Sequence, residues 1–442
     1  MLTDQFETDL RGALSLQAHD VPGDLATRVR HHHYRPRGSR RYLAMRSAAV
    51  VALATGVAAV AVVSRPVSRP EHPSWKLVSD LDQAWQGSHP ASLHNGVSLT
   101  CPSASTCYAV VFPLPGPGVV SSPLSIEGTH DGGATWQQAD LPPDVTQASG
   151  QFGPIECVSE DTCMTLVSNT SWNYEVVGTT DGGQTWTTLP GPSPLSTQFD
   201  VVGGLSCTSG TSCVLVGSYA VGTPQVGQWD AEVTTDGGQA WTRAPMPASS
   251  GAGVQCFAGG NCVTPGAYST DGGLQWSQGS LPSGIHSVWS MSCGDSMDCV
   301  ADATYFGSGT PTSCAGGLHC VTAVTKVIVT TDGGRSWTQA PASGFASSAQ
   351  PSVACVTPST CWAAGAVLQT PGGIVTIGEP QLHSQSQPVL ESTNDQGQTW
   401  QAAQLPAGSG ITRVGNVSCS STTSCFAIAQ SGNGLVLLSY GS

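Results

Sequence analysis

The strongest constraint on this chain is an eight-residue segment that returns six times. The copies are 129–136 (THDGGATW), 179–186 (TTDGGQTW), 234–241 (TTDGGQAW), 269–276 (STDGGLQW), 330–337 (TTDGGRSW) and 393–400 (TNDQGQTW). A degenerate seventh, 78–85 (VSDLDQAW), keeps Asp80 and Trp85 but carries Asp82 where Gly is expected. Asp followed by Gly suits a tight hairpin turn, because the carboxylate bonds nearby N–H groups and Gly tolerates positive φ. The Ser or Thr before it favours an incoming strand, and the Trp offers a large apolar surface to pack beneath the turn. The shared aspartates Asp131, Asp181, Asp236, Asp271, Asp332 and Asp395 therefore read as folding residues.

A second repeat is interleaved with the first. Cysteines separated by five residues form the pairs Cys101/Cys107, Cys157/Cys163, Cys207/Cys213, Cys256/Cys262, Cys293/Cys299, Cys314/Cys320, Cys355/Cys361 and Cys419/Cys425. Turn formers lie between the two cysteines and β-rich runs follow, which describes hairpins closed by cross-strand disulfides. Paired zinc ligands usually stand two to four residues apart, so the spacing favours disulfides and an oxidising compartment. The chain-entropy model gives about 2–3 kcal/mol for so small a loop. These bonds pin single hairpins, and closure of the whole must come from elsewhere.

One unit then reads: strand ending in Cys, turn, strand from Cys, variable loop, strand, Asp turn, strand from Trp. Four strands make a propeller blade. The six-fold motif resembles the Asp box, or BNR repeat, of sialidase-type propellers, over nearly the whole of residues 74–442. The expected fold is all-β, a seven-bladed β-propeller, with six or eight blades as alternatives. The last cysteine pair is followed by an apolar strand with no Asp turn after it, so the terminal blade is expected to be completed by the amino-terminal strand. The fourth unit is short enough to leave one of its strands in doubt, and Cys314/Cys320 reads as a stapled insertion in the fifth.

Charge divides the chain. Ten of the 15 Lys and Arg residues lie in 1–69. The remainder holds five basic against 24 acidic residues, a net charge of −19. Such a surface repels phosphate backbones, which argues against nucleic acid as a partner. Residues 47–64 (SAAVVALATGVAAVAVVS) carry no charge; as a helix they span roughly 27 Å, enough to cross a bilayer core. Five arginines (Arg35, Arg37, Arg40, Arg41, Arg46) precede this run and two (Arg65, Arg69) follow it. The positive-inside rule places the amino terminus in the cytoplasm and exports the rest, giving a single-pass plasma-membrane protein. A cleaved signal is the alternative, disfavoured by the long lead. Residues 1–46 form a helical and basic cytoplasmic segment with Phe6, Leu10 and Leu14 at helical spacing, offering a surface to a cytoplasmic protein partner. This segment resembles the inside segments of actinobacterial single-pass proteins, some of them anti-sigma factors, though their zinc-binding His/Cys motif is absent. His31, His32 and His33 read as part of the basic stretch, 65–73 as a linker, and neither a metal nor a cofactor is expected.

Function is expected on the face carrying the variable loops, opposite the Cys hairpins and Asp turns. Its aromatic candidates for stacking on a sugar or peptide are Trp172, Tyr174, Trp229, Tyr305 and Phe306; the alternative is that each anchors its own loop. Resemblance to sialidases implies three arginines on the substrate carboxylate, but the repeat region has only Arg243, Arg335 and Arg413, two of them in or beside Asp turns, and no Arg-Ile-Pro signature. Other propeller glycosidases use two carboxylates across a central cleft. Glu175, Asp230, Glu232 and Glu379 are loop-side acids with no reason in the sequence to pair. The chain also resembles photosystem assembly-factor and sortilin-type propellers, the former with a basic patch that this acidic region lacks. The reading is an extracytoplasmic binding, sensing or scaffolding module for a glycan, peptide or envelope partner, with a glycan-acting hydrolase as the alternative.

Overall fold

A computed structural model of the chain describes residues 73–85, 97–111, 124–143, 145, 152–168, 174–192, 201–221, 226–247, 251, 253–306, 312–313, 319–320, 323–341, 352–368, 386–432 and 434–441. The expectations for the amino-terminal segment and the apolar run, and those for Trp172 and Glu379, fall outside these residues, as does most of the loop face. Among the described residues no helix is long and apolar enough to cross a membrane.

Residues Pro70–Ser442 form one compact unit that contains seven four-stranded antiparallel sheets. Blade 1 runs Val97–Thr100, Cys107–Val111, Ser125–Thr129 and Gln137–Gln138. Blade 2 runs Phe152–Cys157, Cys163–Ser168, Tyr174–Thr179 and Thr187–Leu189. Blade 3 runs Val201–Cys207, Cys213–Val221, Val226–Thr234 and Thr242–Pro245. Blade 4 runs Gln255–Cys256, Cys262–Thr264, Ala267–Ser269 and Ser277–Gln278. Blade 5 runs Ile285–Cys293, Cys299–Phe306, Ala323–Thr330 and Thr338–Gln339. Blade 6 runs Ser352–Cys355, Cys361–Leu368, Ser386–Thr393 and Gln401–Ala402. Blade 7 takes three strands from the carboxy-terminal end, Ile411–Ser421, Ser424–Ser431 and Gly434–Gly441. Its outermost strand is Ser74–Asp80, paired antiparallel with Gly434–Gly441. The amino-terminal strand thus closes the ring as expected.

Blade 4 keeps all four strands, because its second and third are joined by Pro265 and Gly266 alone and need no further length. In blade 5 the insertion carries a small hairpin, Thr312–Ser313 with His319–Cys320; the Cys314/Cys320 bond lies outside the described residues. The other seven cysteine pairs are bonded, each within one hairpin.

Cys425 corrects one part of the expected unit. In blades 1 to 6 a strand starts at the second Cys, as at Cys107 and Cys361. In blade 7 Cys425 is bonded to Cys419 but does not begin its strand; it lies inside one that starts at Ser424. The reason is the turn, which Thr422 and Thr423 make alone, so that both strands run past the cysteines and Ser421 pairs with Ser424. The register shifts by one residue between Cys419 and Ser421 to allow it. Cys425 itself is fully buried in the seam between blades 6 and 7.

The six Asp turns share one hydrogen-bond plan. The Thr or Ser hydroxyl donates to the Asp Oδ1 at 2.8–2.9 Å. The same hydroxyl accepts the N–H of the second Gly, as from Gly133 at 3.0 Å and Gly238 at 2.9 Å. Oδ1 also accepts the N–H four residues after the Asp, as from Thr135 at 2.9 Å. The residue after each Asp needs the left-handed region; five copies use Gly, and Gln396 accepts it with φ 61°. Its N–H reaches the Cys hairpin of the same blade, as in Gly132 to the Ser105 carbonyl (2.8 Å) and Gly237 to that of Thr211 (2.9 Å). The two repeats therefore meet on one face of the ring.

Segment 78–85 is not a seventh such turn. It follows an outermost strand instead of joining two strands, and Leu81 and Asp82 replace the residues that must adopt positive φ. Asp80 instead caps one helical turn, Leu81–Ala84, accepting from the N–H groups of Asp82 and Gln83. Trp85 is buried edge-on against Trp136, with centroids 5.5 Å apart.

Seven apolar clusters fill the seven seams between blades. Each Asp-turn Trp sits in the seam with the preceding blade: Trp136 with Leu437 and Phe426 of blade 7, Trp186 with Val110 of blade 1, Trp337 with Val263 of blade 4. The cysteines of each hairpin face the same seam. The second Gly of the turn lies against that neighbour too; a Cβ on Gly183 would come 2.6 Å from the Tyr108 ring. In the seam between blades 6 and 7, which has no Asp turn, Trp75 stacks edge-on against Trp362 at 5.2 Å.

Backbone N–H groups of the innermost strands donate to side chains of the preceding blade. In blades 1, 4, 5 and 6 the N–H of the first Cys is accepted by the side chain just before the corresponding Cys of the preceding blade. The pairs are Cys101 to Ser418 Oγ (2.9 Å), Cys256 to Ser206 Oγ (2.9 Å), Cys293 to Gln255 Oε1 (2.7 Å) and Cys355 to Ser292 Oγ (2.9 Å). A second tier lies two residues earlier, with Val353 N–H on Ser290 Oγ (3.1 Å) and Val417 N–H on Ser352 Oγ (3.2 Å). Trp186→Ala is expected to destabilise the ring by about 3–5 kcal/mol through the cavity it leaves. Ser292→Ala is expected to cost about 1–3 kcal/mol by orphaning the Cys355 N–H. Denaturant unfolding of both variants checks the ranking.

Candidate functional site

The innermost strands of all seven blades wall a central cavity of about 680 Å³. Ser and Gly recur in its lining among apolar residues, with the polar side chains of Gln255 and Asn416. Many of the lining hydroxyls are already acceptors in the two tiers of inter-blade bonds, so the wall is rigid as well as polar. Asn416 Nδ2 adds a bond to the Val97 carbonyl at 2.6 Å. Among the described lining residues, one carboxyl and one guanidinium are ionisable, Glu156 and Arg413.

These two sit toward opposite ends of the cavity. Glu156 immediately precedes Cys157, at the end nearer the Cys hairpins; Arg413 lies near the start of its strand, at the loop-face end. Burial pushes the Glu156 carboxyl up to about 8, against a bond from the Cys207 backbone that pulls it down. Burial lowers the Arg413 guanidinium to about 10, and the residue is 7% exposed. The three arginines of the region end in three places. Arg243 pairs with Asp230 on the outer strands of blade 3, Arg335 stacks over Tyr268 at 4.7 Å in an Asp turn, and Arg413 lines the channel. They make no common anion grip.

Of the aromatic candidates, Tyr174 is buried in the seam of blades 2 and 3. Trp229 packs half-buried on the seam of blades 3 and 4. Tyr305 packs on the seam of blades 4 and 5, with the Lys326 ammonium 4.6 Å from its ring centre and its hydroxyl titration pushed up by burial. The three occupy separate clusters. Trp172 and the side chain of Phe306 lie outside the described residues. Glu175, Asp230 and Glu232 stand on third strands, away from the channel lining. The sequence reading missed Glu156 and Arg413; the signal available was polar residues alternating with apolar ones just before a hairpin Cys.

Asp302 and Glu127 join Glu156 and Glu232 as carboxyls that burial pushes up. Asp302, fully buried, replaces the apolar residue found three positions after the Cys in blades 1, 2, 3, 6 and 7. Its Oδ1 accepts the Ser290 N–H at 2.6 Å, in a bulged part of the innermost strand, while Oδ2 has no hydrogen-bond partner. Burial raises Asp302 to about 8, and Glu127 and Glu232 to about 7. The Asp turns behave oppositely: Asp181 is held at about 2, first by the Thr185 hydroxyl. Among the described residues no cluster of three or more His, Cys, Asp or Glu side chains is placed to hold a metal ion.

All-antiparallel four-stranded blades in a closed ring define the chain as a seven-bladed β-propeller. No family model and no curated protein matches its sequence. Among solved structures, it is similar to YCF48 bound to D1 peptide, with a TM-score of 0.50 and 16% identity over 84% of this chain and 98% of that one. It is also similar to YCF48 from Cyanidioschyzon merolae (0.48, 14%, 83% and 99%) and to an α-L-arabinofuranosidase from Fusarium graminearum (0.42, 12%, 78% and 92%). At these identities the likeness is one of fold.

The carboxylates give a signed pH dependence. Groups raised in the folded state hold protons that the unfolded chain releases above about pH 4–4.5, so stability falls as pH climbs from there through 7 to 8. The depressed Asp turns lose their contribution as pH falls from about 4 toward 2. The thermal midpoint is therefore expected to peak near about pH 4–5 and decline toward pH 8. Asp302→Asn is expected to flatten the upper limb, and calorimetry across that range checks both.

Proposed function

We infer that this chain is a membrane-anchored, extracytoplasmic propeller that binds a peptide segment of a partner protein at the loop-face mouth of its channel. The observation that carries the reading is the channel: a rigid polar wall with one cation near one end and a single carboxylate near the other. A hydrolase that cleaves between two carboxylates needs a pair facing one cleft, and the described lining has only Glu156, so glycan hydrolysis is the weaker reading. YCF48, the similar fold with peptide bound, supports a peptide over a sugar. Membership in the Asp-box repeat group rests on the six recurring motifs with their shared bond plan. The anchor rests on the uncharged run 47–64 and the arginines before it. Trp172, Trp229, Tyr305 and Phe306 remain the aromatic candidates around the mouth, while Tyr174, buried in its seam, anchors its own strand; the cytoplasmic segment remains open to a protein partner inside the cell.

A peptide and glycan array probed with the full chain tests this. Peptide spots should light, and Arg413→Gln should weaken them about tenfold or more. Retention of glycans alone, or sugar release, would overturn the assignment. Protease added to intact cells should remove the propeller and spare residues 1–46; protection of the propeller would exclude the topology.

A further inference from the structure

The seven blades serve as internal controls for one another, and two of them depart from the rest on the face opposite the proposed peptide site. After the second Gly of the Asp turn stand Ala134, Gln184, Gln239 and Gln398, but blade 4 has Leu274 and blade 5 has Arg335. At the fourth residue between the paired cysteines stand Ser105, Asp161, Thr211, Gly260, Ser359 and Thr423, but blade 5 has Met297. Leu274 is 46% exposed and Met297 43%, two of the three large exposed apolar residues among those described. The backbone is not the reason for the change. Gly333 N–H reaches the Met297 carbonyl at 3.0 Å just as Gly237 reaches Thr211 at 2.9 Å. Nothing in either turn requires an apolar side chain, and exposing one costs solubility without gain to the fold.

Both residues border clefts beside blade 4, the blade with the shortest strands. Leu274 lines a cleft of about 210 Å³ between blades 3 and 4, together with Phe257. Met297 and Arg335 line one of about 340 Å³ between blades 4 and 5, together with Tyr268 and Asn261. The Arg335 guanidinium carbon sits 4.7 Å from the Tyr268 ring centre, and Nη1 donates to the Asp332 carbonyl at 2.6 Å, which holds the side chain along this cleft. Met, Tyr and Arg are the side chains over-represented at protein contacts, and a thioether adapts to varied apolar partners. The rim is acidic: the six turn aspartates share this face with Glu160, Asp161, Asp295 and Asp298, while Arg335 is the one Lys or Arg within the Asp turns and Cys hairpins.

We propose that the two clefts flanking blade 4 on the Asp-turn face dock a basic, apolar-anchored peptide segment of another protein. Its apolar side chains rest on Leu274 and Met297, and its cations meet the surrounding carboxylates. The site is separate from the loop-face mouth and stands or falls independently of it.

Fluorescence anisotropy with the full chain and a labelled peptide of alternating Lys and Leu tests the proposal. Peptides alternating Lys with Ser, or Glu with Leu, serve as controls. The Lys–Leu peptide should bind about tenfold or more tightly than either control, and weaken as salt is raised. The double variant Leu274→Gln, Met297→Thr, which installs residues that other blades already carry, should lose about tenfold while its thermal midpoint stays unchanged. Arg413→Gln should leave this binding untouched. Unchanged affinity in the double variant, equal binding of the Glu–Leu peptide, or no binding of the Lys–Leu peptide would each overturn it.

Discussion

Everything in this ring depends on the seam between neighbouring blades. A four-stranded sheet of this size cannot bury its own faces, and the solution repeated here is that each blade lends its bulk backward. The Asp-turn Trp, the hairpin disulfide and the second Gly of the turn all press on the preceding blade. At that Gly a Cβ would collide with the neighbouring blade, as Gly133 with Leu437 and Gly183 with Tyr108. The innermost strands follow the same direction, passing an N–H back to a Ser, Gln or Glu one blade earlier. Sheet stacking and channel wall are two results of one repeated handshake.

What the sequence disclosed and what it withheld divide along the same line. Hairpins, turns and the count of units were legible, because Asp-Gly turns and five-residue cysteine loops are local devices. The completion of blade 7 by residues 74–80 was legible from an unmatched strand at each end. A strand starting at the second Cys was legible in six blades and failed at Cys425, where a two-residue turn lets the ladder run on to Ser424. Segment 78–85 misled, because Asp80 and Trp85 kept the motif's outline while Leu81 and Asp82 removed the positive-φ positions that make it a turn. The destination of each Trp was hidden, since a motif says nothing of which neighbour it touches. Tyr174, Trp229 and Tyr305 could be placed near loops but not assigned to seams for the same reason. Glu156 and Arg413 were passed over because the channel exists only once seven strands from distant parts of the chain converge.

The ionisable groups carry a further division of labour. The six turn aspartates are tied into hydrogen bonds that hold their carboxyls below the usual range. Burial pushes others, such as Glu127 and Asp302, up to about 7 and about 8. In the channel, burial pushes the Glu156 carboxyl up in the same way.

The pairing of Ser74–Asp80 with Gly434–Gly441 has a consequence in time as well as space. The first strand of the propeller to be synthesised finds its partner only when the last strand has been made. Until then blades 1 to 6 are an open arc, with Trp75, Leu81 and Trp85 uncovered and one edge of the sheet stack unpaired. Local hairpins and their disulfides form as they emerge, but the join that turns an arc into a ring waits for the longest loop in the chain to close. The length of that interval is set by the rate of chain synthesis, not by the stability of any blade.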